Sequence, residues 1–317
     1  KDVADASTVT INSLTLVNGT DGNGGFAANY SLATGQTDSA VITAKALSAA
    51  ATAADKAYDG NTTASSTLAL SGLIGSETLT TTGIGSTFND KDVADASTVT
   101  INSLTLVNGT DGGLAANYSL ATGQTDSAVI TAKALTAAAT AANKAYDGNT
   151  TASSTLALSG LIGSETLTTS GVGSTFNDKD VADASTVTIN SLTLVNGNYG
   201  GFSTNYSLAT GQTDSAVITA KALTAAATAA NKAYDGNTTA SSTLALSGLI
   251  GSETLTTSGV GSTFNDKNVA DANTVTINSS TLVNGTDGNG GLAANYSLAT
   301  GQTDSAVITA KALTAAA

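Results

Sequence analysis

The chain has 317 residues and a formal net charge of −13, and 41% of it is hydrophobic although only 4% is aromatic. Its basic residues are all lysines, and it contains no Cys, His, Met, Trp or Pro, which excludes disulfides, a thiol nucleophile, a thiolate metal site and an imidazole base. The acidic charge opposes binding to nucleic acid or anionic membrane, and no apolar run is long enough to span a bilayer.

An eight-residue motif, Lys-Ala-Tyr-Asp-Gly-Asn-Thr-Thr, sets the period of the sequence. Its copies start at 56, 144 and 232, which is a period of 88 residues. This period is too long for helical-hairpin repeats of about 34–47 residues, and it suits a small all-β domain. Because the sequence begins and ends inside repeats, we expect a segment of a longer protein. The predicted segments are the C-terminal half of a repeat at 1–47, complete repeats at 48–135, 136–223 and 224–313, and the start of another at 314–317.

Within one repeat, short segments rich in Thr, Val, Ile and Leu are separated by turn residues, which is the pattern of β-strands. Leu104 is one residue out of phase with Ile101, and this slip at Asn102–Ser103 predicts a bulge or a change of sheet. The predicted strands are Thr67–Leu70, Thr78–Thr82, Ser97–Ile101, Tyr118–Leu120 and Ala128–Leu135, the last with Ile130, Ala132 and Ala134 on one side.

The Ala-rich stretch from Ala134 to Ala142 is compatible with two structures. Alanine favours helix by intrinsic propensity, whereas Thr136, Thr140 and the lack of a 3.6-residue apolar face favour an extended strand. We favour the strand, which would carry one repeat into the next without a flexible linker and so make the junction stiff.

The recurring motif itself predicts a tight turn, since Asp, Gly and Asn suit turns. The tyrosine before it is expected to pack as a half-buried anchor with its hydroxyl near a polar partner. The alternative is a sugar or cation site formed by the tyrosine and the aspartate. The predicted turn anchors are Tyr58, Asp59, Gly60, Tyr146, Asp147, Gly148, Tyr234, Asp235 and Gly236.

Two further groups of acidic residues carry alternative interpretations. Asp90 and Asp92 follow Phe88 and are candidate Ca²⁺ ligands, because hard cations prefer carboxylate oxygens; the alternative is a core Phe followed by a loop. The spacing matches no EF-hand, and Asn268 replaces Asp92 in the third copy. The second group is the single glutamate of each repeat, beside Lys and Asn, for which an isopeptide bond is an interpretation that nothing in the spacing specifies: Glu77, Glu165 and Glu253.

Sequence variation is concentrated in one window. The units 91–178 and 179–266 differ at only five positions, all within seven consecutive residues. Surface loops tolerate such change, so this window, the variable loop, is predicted to be exposed. It is either unconstrained or a partner-binding surface, for which the candidate residues are Thr110, Asp111, Leu114, Asn198, Tyr199 and Phe202.

The motifs Lys-x-Tyr-Asp-Gly-x-Thr-Thr, Phe-Asn-Asp-Lys-x-Val, Asn-Tyr-Ser-Leu and Ile-Thr-Ala-Lys-Ala-Leu follow one another in every repeat. In this order they resemble the YDG repeats of large bacterial surface adhesins, which are similar to filamentous haemagglutinin and are exported by two-partner secretion. The resemblance implies tandem immunoglobulin-like β-sandwiches arranged end to end as an elongated rod, without catalytic residues. One departure is that the family usually has Pro where this chain has Ala44, Ala132, Ala220 and Ala310.

From these features we expect a non-enzymatic, extracellular or cell-surface stalk or fibre segment that gives reach and stiffness in cell adhesion or a biofilm matrix. The alternative is a multivalent glycan-binding protein that acts through the variable loops. The expected partners are other repeats of the chain, cell-surface or matrix polysaccharide, and further copies in laterally associated fibres. No cofactor is expected apart from the weak Ca²⁺ candidates.

Overall fold

The computed structural model describes residues 2–315, so Lys1 and the last two residues of the predicted segment 314–317 lie outside the described residues. Within that range the chain consists of β-strands and turns, which confirms the all-β prediction. Nothing among these residues forms a helix with the length and apolarity that crossing a membrane would need. The helical segments described are 3₁₀ turns at Ala27–Asn29, Ala115–Asn117, Ser203–Asn205 and Ala293–Asn295.

Contacts divide the chain into two compact units. The first contains the chain through Lys133 together with Thr204–Ser207, and the second contains Ala134–Ser203 and the chain from Leu208 onward.

The strands recur with the sequence repeat. Those before the first complete repeat are Thr8–Thr10, Thr37–Ser39 and Lys45–Ala46. The next set is Ser48–Ala53, Lys56–Ala57, Thr63–Ala64, Ser66–Ser71, Leu79–Phe88, Thr98–Asn108, Tyr118–Ser119, Thr125–Ser127, Ile130–Thr131 and Lys133–Ala134. The second set is Thr136–Ala141, Lys144–Ala145, Thr151–Ala152, Ser154–Ser159, Leu167–Phe176, Thr186–Asn196, Tyr206–Ser207, Thr213–Ser215 and Ile218–Thr219. The third is Lys221–Ala229, Lys232–Ala233, Thr239–Ala240, Ser242–Ser247, Leu255–Phe264, Thr274–Asn284, Tyr296–Leu298, Thr303–Ser305 and Ile308–Thr309.

A long antiparallel hairpin forms the centre of a four-stranded sheet in each complete repeat. In the first unit its strands are Leu79–Phe88 and Thr98–Asn108, flanked by two short strands. Gly85 lies opposite Ser103 and Ser86 lies opposite Ile101, which leaves Asn102 unpaired. The predicted bulge at Asn102–Ser103 is therefore confirmed, and it explains the phase slip because an extra residue reverses which face the following side chains occupy.

A shorter antiparallel strand pair belongs to a second sheet and contains the Ala-rich stretch. Thr136–Ala141 pairs with Ser154–Ser159, so that Ala137 lies opposite Leu158 and Ala139 lies opposite Leu156. Small side chains facing large ones along one strand face favour cross-strand packing. The extended strand favoured from the sequence is confirmed, because this pairing outweighs the helix propensity of alanine.

The stretch from 216 to 229, here called the junction segment, passes from one repeat to the next within the second unit. Ile218 and Thr219 pair in parallel with Lys144–Ala145 of the second repeat, and Lys221–Leu223 pair in parallel with Tyr296–Leu298 of the third. Ile218 and Leu223 are both buried although they are an odd number of residues apart. The chain therefore changes its buried face at Ala220, between the two strands.

This change of face corrects one detail of the sequence analysis. Ile130, Ala132 and Ala134 were expected on one side of a single strand, but Ala134 is exposed and Leu135 is buried. Buried and exposed side chains do not alternate evenly along the segment, because its two short strands pair with two different sheets, one after the other. The break at Ala220 also lies a few residues before the boundary drawn from the sequence, after Leu223.

The hydrophobic core of the second unit is continuous from the second repeat to the third. One cluster contains Phe176, Val187 and Ile218 of the second repeat together with Tyr296 of the third. A separate cluster around Phe264, Val275 and Ile308 lies at the other end of the third repeat. In this unit, the end of the second repeat that contains the buried Phe176 packs against the end of the third repeat that contains Leu246, Leu249 and Tyr296.

Replacing Ala220 with Pro is expected to raise the free energy of unfolding by about 0.4–1 kcal/mol, because a fixed φ restricts the unfolded chain. The position lies outside both strands, where a lost N–H donor is tolerated, and the extended Thr219 before it is compatible with a following Pro. Urea denaturation measures the change.

Ala229→Pro is the control, because the Ala229 N–H donates to Asp304 Oδ2 at 2.8 Å. This variant should be less stable than the wild type. Equal destabilisation by both substitutions would contradict the assignment of Ala220 as a break between strands.

Candidate functional site at the repeat junction

The Tyr-Asp-Gly turn is held together by its own polar side chains. In the second repeat, Lys144 Nζ donates to Asp147 Oδ1 at 2.6 Å and to the Asn149 carbonyl at 2.8 Å. The Asn149 N–H in turn donates to Asp147 Oδ1 at 3.2 Å. Burial acts to raise the pKa of Asp147, but the hydrogen bonds from Lys144 and Asn149 outweigh it and hold that pKa below its usual value. The aspartate is thus engaged within the turn.

Tyr146, which the turn presents, is buried at the boundary between the second and third repeats. Only 2% of the residue is exposed, and its N–H donates to the Thr219 carbonyl at 2.8 Å. Its ring meets the ring of Tyr296 edge to face, with centroids 5.3 Å apart, a favourable aromatic geometry. The burial is more complete than the half-buried anchor expected from the sequence, because the third repeat covers the ring.

Glu253 receives the hydroxyls of both tyrosines. Tyr146 donates to Oε1 at 2.7 Å and Tyr296 donates to Oε2 at 2.6 Å. The Ile250 N–H donates to the Tyr296 hydroxyl at 3.0 Å. A hydroxyl without a partner at this depth would be costly, so the glutamate makes the insertion of the tyrosine favourable.

Burial, followed by the hydrogen bonds to Glu253, raises the pKa of both tyrosines. That of Tyr296 rises to about 12, and that of Tyr146 rises further. The neutral hydroxyl is therefore the favoured form at this junction.

A second polar group braces the same boundary. Asn295 Nδ2 donates to Asp180 Oδ1 at 2.7 Å, and the Val181 N–H donates to Asn295 Oδ1 at 2.8 Å. Lys179 Nζ lies 2.8 Å from Asp180 Oδ1. Burial acts to raise the pKa of Asp180, but the hydrogen bonds from Lys179 and Asn295 outweigh it and leave the pKa lowered.

The first unit repeats this arrangement with other copies of the residues. The rings of Tyr58 and Tyr206 meet edge to face at 5.4 Å, and Tyr58 is 1% exposed. Asn205 Nδ2 donates to Asp92 Oδ1 at 2.7 Å, and its Oδ1 accepts the Val93 N–H at 2.8 Å. The same pairing of tyrosines and of Asp with Asn thus occurs in both units.

Gly148 allows the turn to approach the third repeat closely. Its φ is +79°, and a Cβ built on it would lie 3.0 Å from Ile250 Cγ2. Gly236, its counterpart in the last copy, has a φ of +85° and nothing within 4 Å. Tyr234 beside it is 36% exposed, in contrast to the covered Tyr146.

The candidate Ca²⁺ ligands make hydrogen bonds within the protein. Asp92 Oδ1 accepts from Lys91 Nζ at 2.8 Å as well as from Asn205, and Asp90 Oδ1 accepts the Asp92 N–H at 2.8 Å. Across residues 2–315, no group of three or more acidic side chains comes together as a metal site. Asp92 therefore takes part in the contact with Asn205, and Asp90 forms a bond within its own loop.

The six candidate residues of the variable loop are all exposed. In the second repeat the loop is fixed to Thr166, whose Oγ1 accepts the Asn198 N–H at 2.8 Å. A Cβ on Gly197 or Gly201 would overlap the Thr166 backbone, so the two glycines permit this close contact. Tyr199 has a φ of +58°, a left-handed conformation that is uncommon for a bulky residue.

Tyr199 is 78% exposed and Phe202 is 44% exposed. In the first repeat the Thr110 N–H donates to Thr78 Oγ1 at 3.0 Å, so the base of that loop is anchored in the same way. The loop is thus a fixed support for variable side chains.

Sequence reasoning identified the tyrosine but not its partners. Glu253, Tyr296 and Asn295 each recur once per repeat, as the tyrosine does, and that shared recurrence was the available signal. It could not assign the contacts, because Tyr146 and Glu253 are 107 residues apart in the chain.

Tyr146→Ala is expected to lower the free energy of unfolding by about 3–5 kcal/mol, as truncation of a buried aromatic side chain does. Tyr146→Phe should cost about 1–3 kcal/mol, because the half-buried Glu253 loses one of its two hydroxyl donors. Urea denaturation of the full chain measures both changes. Tyr234→Ala is the matched control in a copy without a covering repeat, and an equal loss there would contradict the assignment of Tyr146 to the junction.

The stability of the chain is expected to fall as the pH rises from about 10, the ordinary tyrosine pKa, to about 12, the pKa of Tyr296 in the fold. Over that interval the unfolded tyrosines lose protons that the folded ones keep, so unfolding becomes easier. Tyrosinate absorbance during a pH titration follows the ionisation directly. In the Glu253→Gln variant, Tyr146 and Tyr296 should lose their protons at a pH closer to 10 than they do in the wild type. A titration curve identical to that of the wild type would contradict the role given to Glu253.

The chain was also compared with known proteins. No curated protein matches it. The family model of the YDG domain matches residues 43–127, 131–215 and 219–305. The third match begins at Thr219, next to the strand break at Ala220. Because the three matches together cover well over half of the chain, the protein belongs to the YDG domain family.

Proposed function

We propose that this chain is a non-catalytic structural segment of an extracellular bacterial adhesin stalk or fibre. In this proposal its repeats are immunoglobulin-like β-sandwiches joined end to end as an elongated rod at the cell surface or in a biofilm matrix. Reach is set by the number of repeats, and stiffness is set by their junctions.

The observation that supports this proposal most is the continuous core between the second and third repeats. Phe176 and Tyr296 belong to one hydrophobic cluster, and the strand that begins at Lys221 follows Ile218–Thr219 of the preceding repeat after a single residue. A hinge between these repeats would have to separate buried apolar surface and expose the hydroxyls held by Glu253. Contacts between neighbours of this kind stabilise repeat proteins.

Electron microscopy of the 317-residue chain tests the mechanical role. We expect a straight particle with a spacing of about 35–45 Å per repeat, at about 3.3 Å per strand residue. Tyr146→Ala should introduce a bend between the second and third repeats, because it removes the buried ring from their boundary.

Tyr234→Ala is the control and should leave particles as straight as the wild type. Particles of the wild type that bend freely at every boundary would refute a stiff spacer, whatever the behaviour of the variants.

A second candidate function, multivalent binding of surface or matrix polysaccharide, is favoured by Tyr199. An exposed aromatic ring on a loop fixed to Thr166 needs little ordering on binding, and rings of this kind pack against partner surfaces. The substitutions Tyr199→Asp and Phe202→Leu give the second loop the side chains that the first repeat carries at 111 and 114.

Glycan-array binding that disappears in this double variant would support the loop as a binding site. Binding by neither protein would leave only the stalk function, and equal binding by wild type and variant would contradict the assignment of the site to Tyr199 and Phe202.

A further inference from the structure

The strand Ser154–Ser159, here called the edge strand, has a sheet neighbour on one side only among the described residues, and that neighbour is Thr136–Ala141. The second repeat has a complete repeat on each side of it in the sequence. Its counterparts Ser66–Ser71 and Ser242–Ser247 have the same sequence and also lie at the edges of their sheets. The unpaired edge is therefore a property of the repeat itself.

An open groove lies beside the edge strand. It has a volume of about 380 Å³, and its lining includes Leu156 and Leu158 on one side and Thr168 and Thr169 of the long hairpin on the other. A groove of the same volume lies at the equivalent place in the first repeat. The long hairpin thus leaves the edge strand accessible from this side.

The ladder between the edge strand and its neighbour determines where the backbone groups point. Just beyond it, the Ala142 N–H donates to the Ser153 carbonyl at 3.0 Å. Bonded and non-bonded residue pairs alternate along an antiparallel ladder. Leu156 and Leu158 lie an odd number of residues beyond Ser153, so both belong to non-bonded pairs. Their N–H and C=O groups therefore point away from the neighbouring strand, toward the open side.

The edge strand has nearly the same sequence in both directions. From Thr155 to Ser159 its side chains are a hydroxyl, Leu, Ala, Leu and a hydroxyl. When two copies run antiparallel with Ala157 opposite Ala157, Leu156 of each copy lies opposite Leu158 of the other. In this register the two leucines are the residues that exchange backbone hydrogen bonds, and they are also the residues whose groups point outward. The edge strand is thus complementary to a second copy of itself.

The edge strand lacks the features that protect most sheet edges. Natural proteins place charged side chains, proline or bulges at such edges to prevent pairing between molecules. Residues 148–164 include no charged residue, and the chain contains no Pro. The register with the neighbouring strand is continuous, without a bulge. The acidic charge of the chain therefore does not place like charges opposite one another when two edge strands meet.

We propose that two copies of this chain associate through their edge strands, which pair antiparallel about Ala157 and join the two sheets into one. Leu156 and Leu158 exchange backbone hydrogen bonds with Leu158 and Leu156 of the second copy, and their side chains meet across the new strand pair. Both copies use the same surface, so the contact is isologous. The counterpart strands of the other repeats offer the same contact. This association goes beyond the proposed stalk function, which requires only junctions within one chain, so either can fail without the other.

Lysine at the centre of the edge strand tests the proposal in the full chain. The edge variant combines substitutions at three equivalent, exposed positions: Ala69→Lys, Ala157→Lys and Ala245→Lys. The proposed register places each new lysine opposite another, which should weaken association by up to about five-fold for each strand pair. In sedimentation velocity over a concentration series, the wild type should form concentration-dependent oligomers that the edge variant forms only at higher concentration.

A matched control carries the same charges one strand further from the edge. It combines Ala50→Lys, Ala138→Lys and Ala226→Lys, at exposed positions directly opposite the three edge alanines. Three added lysines change the formal net charge from −13 to −10 in both variants, so general charge repulsion falls equally. The control should therefore associate at least as strongly as the wild type, and circular dichroism verifies that both variants are folded.

A charge-reversed variant provides the sharpest result. It carries glutamate at the three edge positions, as Ala69→Glu, Ala157→Glu and Ala245→Glu, and should also associate weakly on its own. Mixed with the edge variant, it should restore association, because each lysine then lies opposite a glutamate of the other chain.

Three outcomes would overturn the proposal. The first is a wild type that stays monomeric at its highest soluble concentration. The second is an edge variant that associates as strongly as its matched control, which would place the contact elsewhere on the chain. The third is a mixture of the lysine and glutamate variants that associates no more strongly than either variant alone.

Discussion

The structure depends on a tyrosine that one repeat contributes to the core of its neighbour. The Tyr146 ring can be buried only if its hydroxyl finds a partner, and Glu253 of the third repeat supplies a carboxylate that also receives the hydroxyl of Tyr296. The apolar ring makes the contact favourable, and the hydroxyl and carboxylate make it directional, because an unpaired polar group would remain buried in any other register. The Asp180–Asn295 pair fixes the same boundary from a second position.

This arrangement compensates for a thin core. Aromatic residues make up only 4% of the chain, and the Ala-rich strand contributes small side chains opposite Leu156 and Leu158. A domain of about 60–90 residues leaves much of its surface unburied and is marginally stable alone. In the second unit, the shared cluster around Tyr146 supplies apolar contacts that neither repeat forms from its own residues.

The residues that differ between repeats and the residues that form the junctions lie in different parts of the repeat. The five differences between the units 91–178 and 179–266 all fall in the variable loop, and the residues that form the junction are identical between them. Change at the junction would have to be matched by the neighbouring repeat, since its side chains are buried and hydrogen-bonded across the boundary. The loop is anchored by backbone contacts to Thr166, so its outward side chains can change without disturbing the fold.

The sequence by itself determined the period, the all-β class and the exposure of the variable loop. For the Ala-rich stretch it favoured a strand over a helix, and at Asn102–Ser103 it left a bulge and a change of sheet as alternatives. These features follow from local alternation, turn residues and the positions of differences, which a linear pattern records directly. The tertiary structure alone decided that Tyr146 is covered by the next repeat, that Glu253 receives two hydroxyls, and that the buried face changes at Ala220. These contacts join residues that are far apart in the chain, such as Tyr146 and Glu253, which are separated by 107 positions. A pattern in which every repeat carries the same residues cannot say which copy packs against which, so only the packing of the chain in three dimensions assigns them.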